Sequence, residues 1–254
     1  MIFRYDGSYA GLLTVLQRLF ARREAPDDIV CGEPEQADLF AEFFESPTDP
    51  ELAARLSAAV RAHLGAEPLA NLRDAFLSDQ PDIEMALYRY LKLGWRVRRE
   101  LDRHLTDPAV TAIHRAAQRT RHEAHRFKGL LRFRETEDGL LYAPFRPDAD
   151  ILAPLAAHFA IRLGDRRWLI HDVRRDIGAL YDGRHWAIGA LTLETAPTFS
   201  AEEDQWQQLW RAFFDHIAIP ERANARLQKR FMPMRYWEFL VEHPSPQKKK
   251  SNGI

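Results

Sequence analysis

His171 and Asp172 are the residues whose types and adjacency most directly suggest chemistry. An imidazole beside a carboxylate can serve as a general base or a metal ligand. Arg174 and Arg175 follow closely, where paired guanidinium hydrogen bonds could clamp a phosphate or a flipped nucleotide. The pair is expected at the end of a strand, and adjacent strand residues face opposite ways. A structural role therefore competes with a joint catalytic one, and the arginines can equally pair with acids such as Glu202, Glu203 and Asp204. His125 and His158 are the other imidazoles from which an active site with His171, Asp172 and Arg174 would be gathered. His122 and His125 are spaced i, i+3 with His114 on the same helix side, which could grip a divalent ion. That spacing is not the i, i+4 of the zinc-protease motif, and the surrounding arginines repel a cation, so no metal is expected. No glycine-rich phosphate loop, Walker-type lysine, dinucleotide fingerprint or nucleophile elbow is present, and no cofactor is expected.

Positive charge supplies the second kind of chemistry. Residues 88–134 hold thirteen lysines and arginines against four acids, a local balance of +9 in a chain whose net charge is −1. Arg89, Lys92, Arg96, Arg99 and Arg103 are spaced 3, 4, 3, 4, which stacks all five on one face of a helix. At the helical rise such a ridge is roughly 20 Å long, a length suited to tracking backbone phosphates. From Pro108 to Arg126, a second helix sets Arg115, Arg119, Arg121, His125 and Arg126 on one side, with small residues such as Ala116, Ala117 and Ala124 on the other. Residues 125–135, HRFKGLLRFRE, alternate Arg126, Lys128, Arg132 and Arg134 with Phe127, Gly129, Leu131 and Phe133. A period of two predicts a strand with one cationic face. Any single face of this kind is what a solvated element presents; three in succession point to a surface for a polyanion.

Aromatic rings on which unstacked bases could lie include Tyr142, Phe145, Trp168, Tyr181, Trp186, Tyr236 and Trp237. Tyr236 and Trp237, beside Arg235, read either as a stacking corner or as a C-terminal clamp on the domain. Trp206, Trp210, Phe213, Phe214 and Ile217 follow helical spacing and read as a packed stripe.

The elements that must position these residues begin with a strand, Met1 to Tyr5, turning at Asp6-Gly7 into a helix from Ser8 to about Arg22 with Ser8 as its cap. Helices are expected at 34–45, 49–64, 67–78, 82–105 and 108–126, most of them starting at a proline. Strands 126–135 and 140–146 form a hairpin around Glu137-Asp138-Gly139, followed by a helix at 148–163 and a strand at 168–171. A second hairpin around Asp182-Gly183 joins 176–181 to 184–190, and helices at 200–217 and 220–230 close the chain. Segregated helices and antiparallel hairpins make an α+β plan without the strand-helix alternation of a parallel sheet. One domain is expected over 1–242, helical to about 126 and mixed beyond, with 243–254 a disordered tail. A hydrophobic content of 46% in a chain of this length suffices for a substantial core. The single cysteine, Cys31, excludes an intramolecular disulfide framework and fits a reducing cytoplasm. No apolar run approaches 18 residues, and polar residues interrupt the N-terminus, so neither a membrane span nor a signal peptide is expected.

HRFKGLLRF (125–133), YAPFRPDADILAPLAAHFAIRL (142–163), WLIHDVRR (168–175), RFMPMRYW (230–237) and the opening FRYDGSYAGLLTVL resemble a bacterial family of DNA-metabolism proteins whose biochemistry is not established. The resemblance runs along essentially the whole chain. It implies a role in DNA repair: in that family the domain also occurs fused ahead of a uracil-DNA glycosylase-like domain, and stand-alone members are encoded beside a radical SAM protein. Two departures stand out, Met234 where many relatives carry lysine and the end of this sequence soon after RFMPMRYW, so glycosylase chemistry from a fusion partner is not carried over.

The expectation is a DNA-binding accessory protein, with a radical SAM repair enzyme as partner and no membrane partner. It would use Arg89, Lys92, Arg96, Arg99, Arg103, Arg115, Arg119, His125, Arg126, Lys128, Arg132, Arg134, Arg174, Arg175, Arg235, Tyr236 and Trp237. The alternatives are a nucleic-acid-processing enzyme, glycosylase- or lyase-like, with its own site at His171, Asp172 and His158, and an interaction protein whose basic surface docks an acidic partner.

Overall fold

The computed structural model describes residues 1–32, 42–193, 195–217 and 224–242. Helices and strands are mixed in an α+β fold. The chain forms two compact units, Met1–Arg121 and the residues from His122 onward, the division falling inside one long helix.

In the first unit, β1 (Ile2–Tyr5) leads into α1 (Tyr9–Arg22), whose cap is Ser8, its hydroxyl accepting from the Gly11 N–H at 2.9 Å. β2 (Asp28–Cys31) and β3 (Phe43–Glu45) flank β1, and both pairings are parallel. This small parallel sheet corrects the expectation of none. Residues 34–41 of the helix expected at 34–45 lie outside the described residues, and Phe43–Glu45 is strand. A short apolar run fits either period, and here partners decide: Phe44 meets Phe3 at 5.2 Å between ring centroids and Glu45 pairs with Arg4 at 2.9 Å.

α2 (Pro50–His63), capped by Asp49, and α3 (Ala66–Phe76) follow, then α4 (Ile83–Val97). The helix expected over 82–105 ends at Val97. Arg98 takes φ 57° and ψ −130°, and Arg98–Arg103 is a 3-10 segment. The cause is packing. Leu101 folds back until its Cδ2 would stand 2.9 Å from a Cβ on Gly94, and it is fully buried. α5 (Pro108–Leu130) is longer than expected, which removes most of the strand expected at 126–135. Ile113, Ala116, Ala117, Thr120, Ala124, Phe127 and Leu131 are all buried, a spacing of threes and fours that continues the helical line past Arg126. The alternation of two at 126–134 is a local coincidence with that line.

The second unit holds a five-stranded sheet in the order β4 (Arg134–Glu135), β5 (Leu141–Phe145), β6 (Trp168–Asp172), β7 (Ile177–Tyr181), β8 (Trp186–Ala190). All neighbours are antiparallel except β5 and β6, which are joined by α6 (Leu152–Arg162). Leu152, Leu155 and Phe159 of α6 share a core with Ala143, Trp168, Ile170 and Ala179, all from one face of the sheet. α7 (Glu203–Ile217), α8 (Ala225–Phe231) and a 3-10 turn (Met234–Phe239) follow. The expected tail, 243–254, lies outside the described residues. Among them, no helix is long and apolar enough to cross a membrane.

Candidate nucleic-acid interface

In the first unit a polar network fixes the cationic segments. Asp102 accepts from Tyr90 Oη at 2.6 Å and from Asn71 Nδ2 at 3.2 Å, and lies 2.8 Å from His114 Nε2, so α3, α4, the 3-10 segment and α5 meet at one carboxylate. Arg121, grouped by sequence with the cationic side of α5, is engaged internally. Its Nε donates to Asp74 at 2.6 Å and its Nη2 to Asn71 at 2.8 Å.

Around this network Arg89, Lys92 and Arg96 are exposed on one face of α4, Arg98, Arg99 and Arg103 on the 3-10 segment, and Arg115 and Arg119 on α5. The break at Arg98 corrects the five-residue ridge. Only its first three members share a helix face, a run of roughly 10 Å at the helical rise, and Arg99 and Arg103 belong to a separate turn. Arg103 pairs with Glu100 at 2.6 Å, Arg119 donates to Gln80 at 3.1 Å, and the Lys92 ammonium lies 5.6 Å from the Tyr88 ring centroid. Among the described residues, Arg89, Arg96, Arg98, Arg99 and Arg115 have no carboxylate partner.

The second unit uses most of its expected binding residues to hold itself together. His125, Arg126 and Lys128 lie on the last turns of α5 and do not share a strand face. Arg132 is ion-paired with Glu242 and lies 5.2 Å from the Trp210 ring centroid. Burial pushes the Glu242 carboxyl up, but the Arg132 pairing, a backbone hydrogen bond and the Trp210 indole together hold it below its ordinary value. Arg134 stacks on Phe199 at 4.1 Å, where burial lowers its pKa. Arg175 donates to Asp172 at 2.8 Å and to the Asp148 carbonyl at 2.7 Å, and Arg174 donates to that same carbonyl at 2.7 Å. The two arginines thus tie the β6–β7 turn to the loop before α6, rather than pairing with Glu202, Glu203 or Asp204. Arg235 pairs with Asp148 at 2.8 Å. Tyr236 is buried, with its hydroxyl donating to Glu123 at 2.7 Å and its ring 4.7 Å from Phe127, and Trp237 donates to the Met232 carbonyl at 3.0 Å. The Tyr236-Trp237 corner is therefore a C-terminal clamp and presents no open stacking platform at Tyr236.

The expected catalytic set is not assembled. His171 lies on the sheet face away from α6, its Nδ1 2.9 Å from the Tyr142 hydroxyl; Asp172, on the α6 face, is engaged by Arg175 and the Arg174 N–H. His158 belongs to α6, with the sheet between it and His171. Burial depresses the pKa of both imidazoles, against the opposing pull of Asp176 and Asp172 at His171 and with the repulsion of Lys128 and Arg162 at His158. Among the described residues no group of three or more His, Cys, Asp or Glu is placed to hold a metal ion.

Sequence reasoning missed the outer face of α7. Trp206 is 64% exposed and Phe213 56%, so the expected packed stripe faces outward. Trp206 and Trp210 line a cavity of about 400 Å³ with Phe133, Leu141, Glu203 and Gln207, a size that suits a small planar ligand. The helical spacing signalled an apolar face, but spacing alone does not say what covers it.

Residues 81–242 match a family described as a domain of unknown function, DUF4130. The chain belongs to the DUF4130 family. No curated protein and no solved structure matches it. The DUF4130 match takes in α4, the 3-10 segment and α5 together with the five-stranded sheet, and so includes every residue of the candidate interface.

Proposed function

We propose that this DUF4130 protein binds nucleic acid in DNA metabolism, through sequence-independent phosphate contacts made by the cations of α4, the 3-10 segment and α5. The observation that carries this reading is the set of exposed arginines, Arg89, Arg96, Arg98, Arg99 and Arg115, left without a carboxylate partner among the described residues of a chain of net charge −1. A protein that merely solvates its surface intersperses both signs; unopposed guanidiniums are suited to releasing counterions from a phosphate backbone. Separately, in the unit from His122 onward, the α7 cavity offers a place where an unstacked base can lie against Trp206 or Trp210.

The likeness to DNA-metabolism proteins supports a role in repair, as accessory to a radical SAM enzyme that performs the chemistry. Co-purification with that enzyme is the expected result. The alternative, a glycosylase- or lyase-like activity of the chain itself, would need turnover of damaged DNA that His171→Ala abolishes. It has less support, since His171 and Asp172 are held on opposite sheet faces.

The deciding experiment is fluorescence anisotropy of a labelled oligonucleotide across a salt series. Log affinity is expected to fall linearly with log salt, and neutralising Arg89, Arg96 and Arg99 to Gln is expected to reduce the slope by about 0.9 for each duplex phosphate that is no longer neutralised. Neutralising the exposed Arg23, Arg55 and Arg61 changes the net charge equally and should leave the slope in place. Trp206→Ala should weaken single-strand binding more than duplex binding. Absence of binding at low salt, or equal loss in the two arginine triples, would overturn the reading.

A further inference from the structure

The two edges of the five-stranded sheet are treated differently. The β4 edge is two residues long and is closed by the chain itself: the Ser200 N–H donates to the Glu135 carbonyl at 3.0 Å, and Thr136 and Phe199 form a bridge. The β8 edge runs five residues, WAIGA, every one of them exposed. It carries no charge, no proline and no bulge, the devices by which proteins normally blunt an open strand.

The register identifies which backbone groups of β8 point away from β7. The Leu191 N–H donates to the Asp176 carbonyl and the Asp182 N–H to the His185 carbonyl, so these two pairs are hydrogen-bonded rungs of the β7–β8 ladder. Antiparallel rungs alternate, so Ala187 and Gly189 also direct their backbone groups to β7. The N–H and C=O groups of Trp186, Ile188 and Ala190 point away from the sheet.

Those three positions are complementary to themselves. An antiparallel copy of β8 related by a two-fold axis at Ile188 pairs Ile188 with Ile188 and Trp186 with Ala190, and each such pair exchanges two backbone hydrogen bonds. The large indole then meets the methyl group of Ala190, the smallest of the three side chains at these positions, and the two 41%-exposed isoleucines meet on the axis. On the other sheet face Ala187 lies opposite Gly189, too small to obstruct, and His185 opposite Leu191; beyond the strand ends Arg184 meets Thr192, at positions of the same parity as Ile188, so like charges are not brought opposite one another. We propose that β8 is a homodimer interface, in which a second copy of this chain continues the sheet across the two-fold axis. This inference does not depend on the nucleic-acid reading.

The test uses the full chain. Light scattering over a concentration series should show the mass rising from 29.5 kDa toward twice that value. Ile188→Lys should hold the protein at monomer mass with an unchanged far-ultraviolet spectrum. Ile188→Pro should do the same, because the N–H it removes faces outward and the ladder to β7 survives. With Cys31 replaced by serine, Ile188→Cys should give a disulfide-linked dimer under mild oxidation, since hydrogen-bonded antiparallel neighbours lie about 5.5 Å apart between Cα atoms. Thr192→Cys should not cross-link, its two copies lying roughly 27 Å apart at about 3.4 Å per residue. A wild-type chain that stays monomeric at every concentration, or a dimer that persists in both Ile188 variants, would overturn the proposal. So would a dimer in which Thr192→Cys cross-links and Ile188→Cys does not.

Discussion

Asp172 carries a charge into a place without solvent: its side chain is 0% exposed, and its partners are the Arg175 guanidinium at 2.8 Å and the Arg174 N–H at 3.0 Å. Deleting one member of a buried pair strands the other, at a cost of roughly 3–5 kcal/mol. Arg175→Met is expected to lower the unfolding free energy in urea by that order, and Arg175→Lys by less, because it keeps the charge and loses only the fork. His171 responds to pH instead. Burial holds its folded pKa below the ordinary 6.5, so the unfolded chain takes up the proton first. Stability is then complete above about pH 6.5 and is lost as the pH falls below it. Thermal melts between pH 8 and pH 5 should show this decline, and His171→Gln should flatten it, leaving the part owed to His158. Both behaviours rest on neighbours distant in sequence. The adjacency of His171 and Asp172 is plain in the sequence, but their separation by the sheet and the capture of Asp172 by Arg175 are legible only once strand ends are known.

At the scale of elements, what is local was legible. Ser8 caps α1, and Asp182-Gly183 turns β7 into β8, because hydroxyl capping and a glycine at φ 99° are matters of a few residues. The end of α4 was not. Nothing in LGWRVRRELDR marks a stop, and the break is made by Leu101 reaching back to Gly94. The strain falls on Arg98, whose φ of 57° and ψ of −130° favour glycine. Arg98→Gly should therefore raise the unfolding free energy, by on the order of 1 kcal/mol, and the same change at Arg96, inside α4, should lower it by about as much. The exposure of the α4 and α5 cations was legible for a related reason: it is set by the pattern of their own helix, whereas Arg121, Arg132 and Tyr236 were claimed by partners far along the chain.

For the whole molecule, the matched span and the folded units do not share a boundary. The DUF4130 match opens at residue 81, inside the unit that runs from Met1 to Arg121. Leu87, Tyr90 and Leu91 of α4 belong to one apolar core with Leu12, Leu16, Leu19, Leu56 and Leu72, all of which precede the matched span. A polypeptide trimmed to 81–242 would keep the proposed phosphate contacts while stripping away the wall they are mounted on. Such a fragment is expected to bind more of a hydrophobic dye than the full chain does through its exposed α7 face, and to melt without the cooperative transition expected of the full chain. Anyone excising the matched block for screening would then be assaying a torn surface, and stickiness toward DNA measured on it would say little about the intact protein.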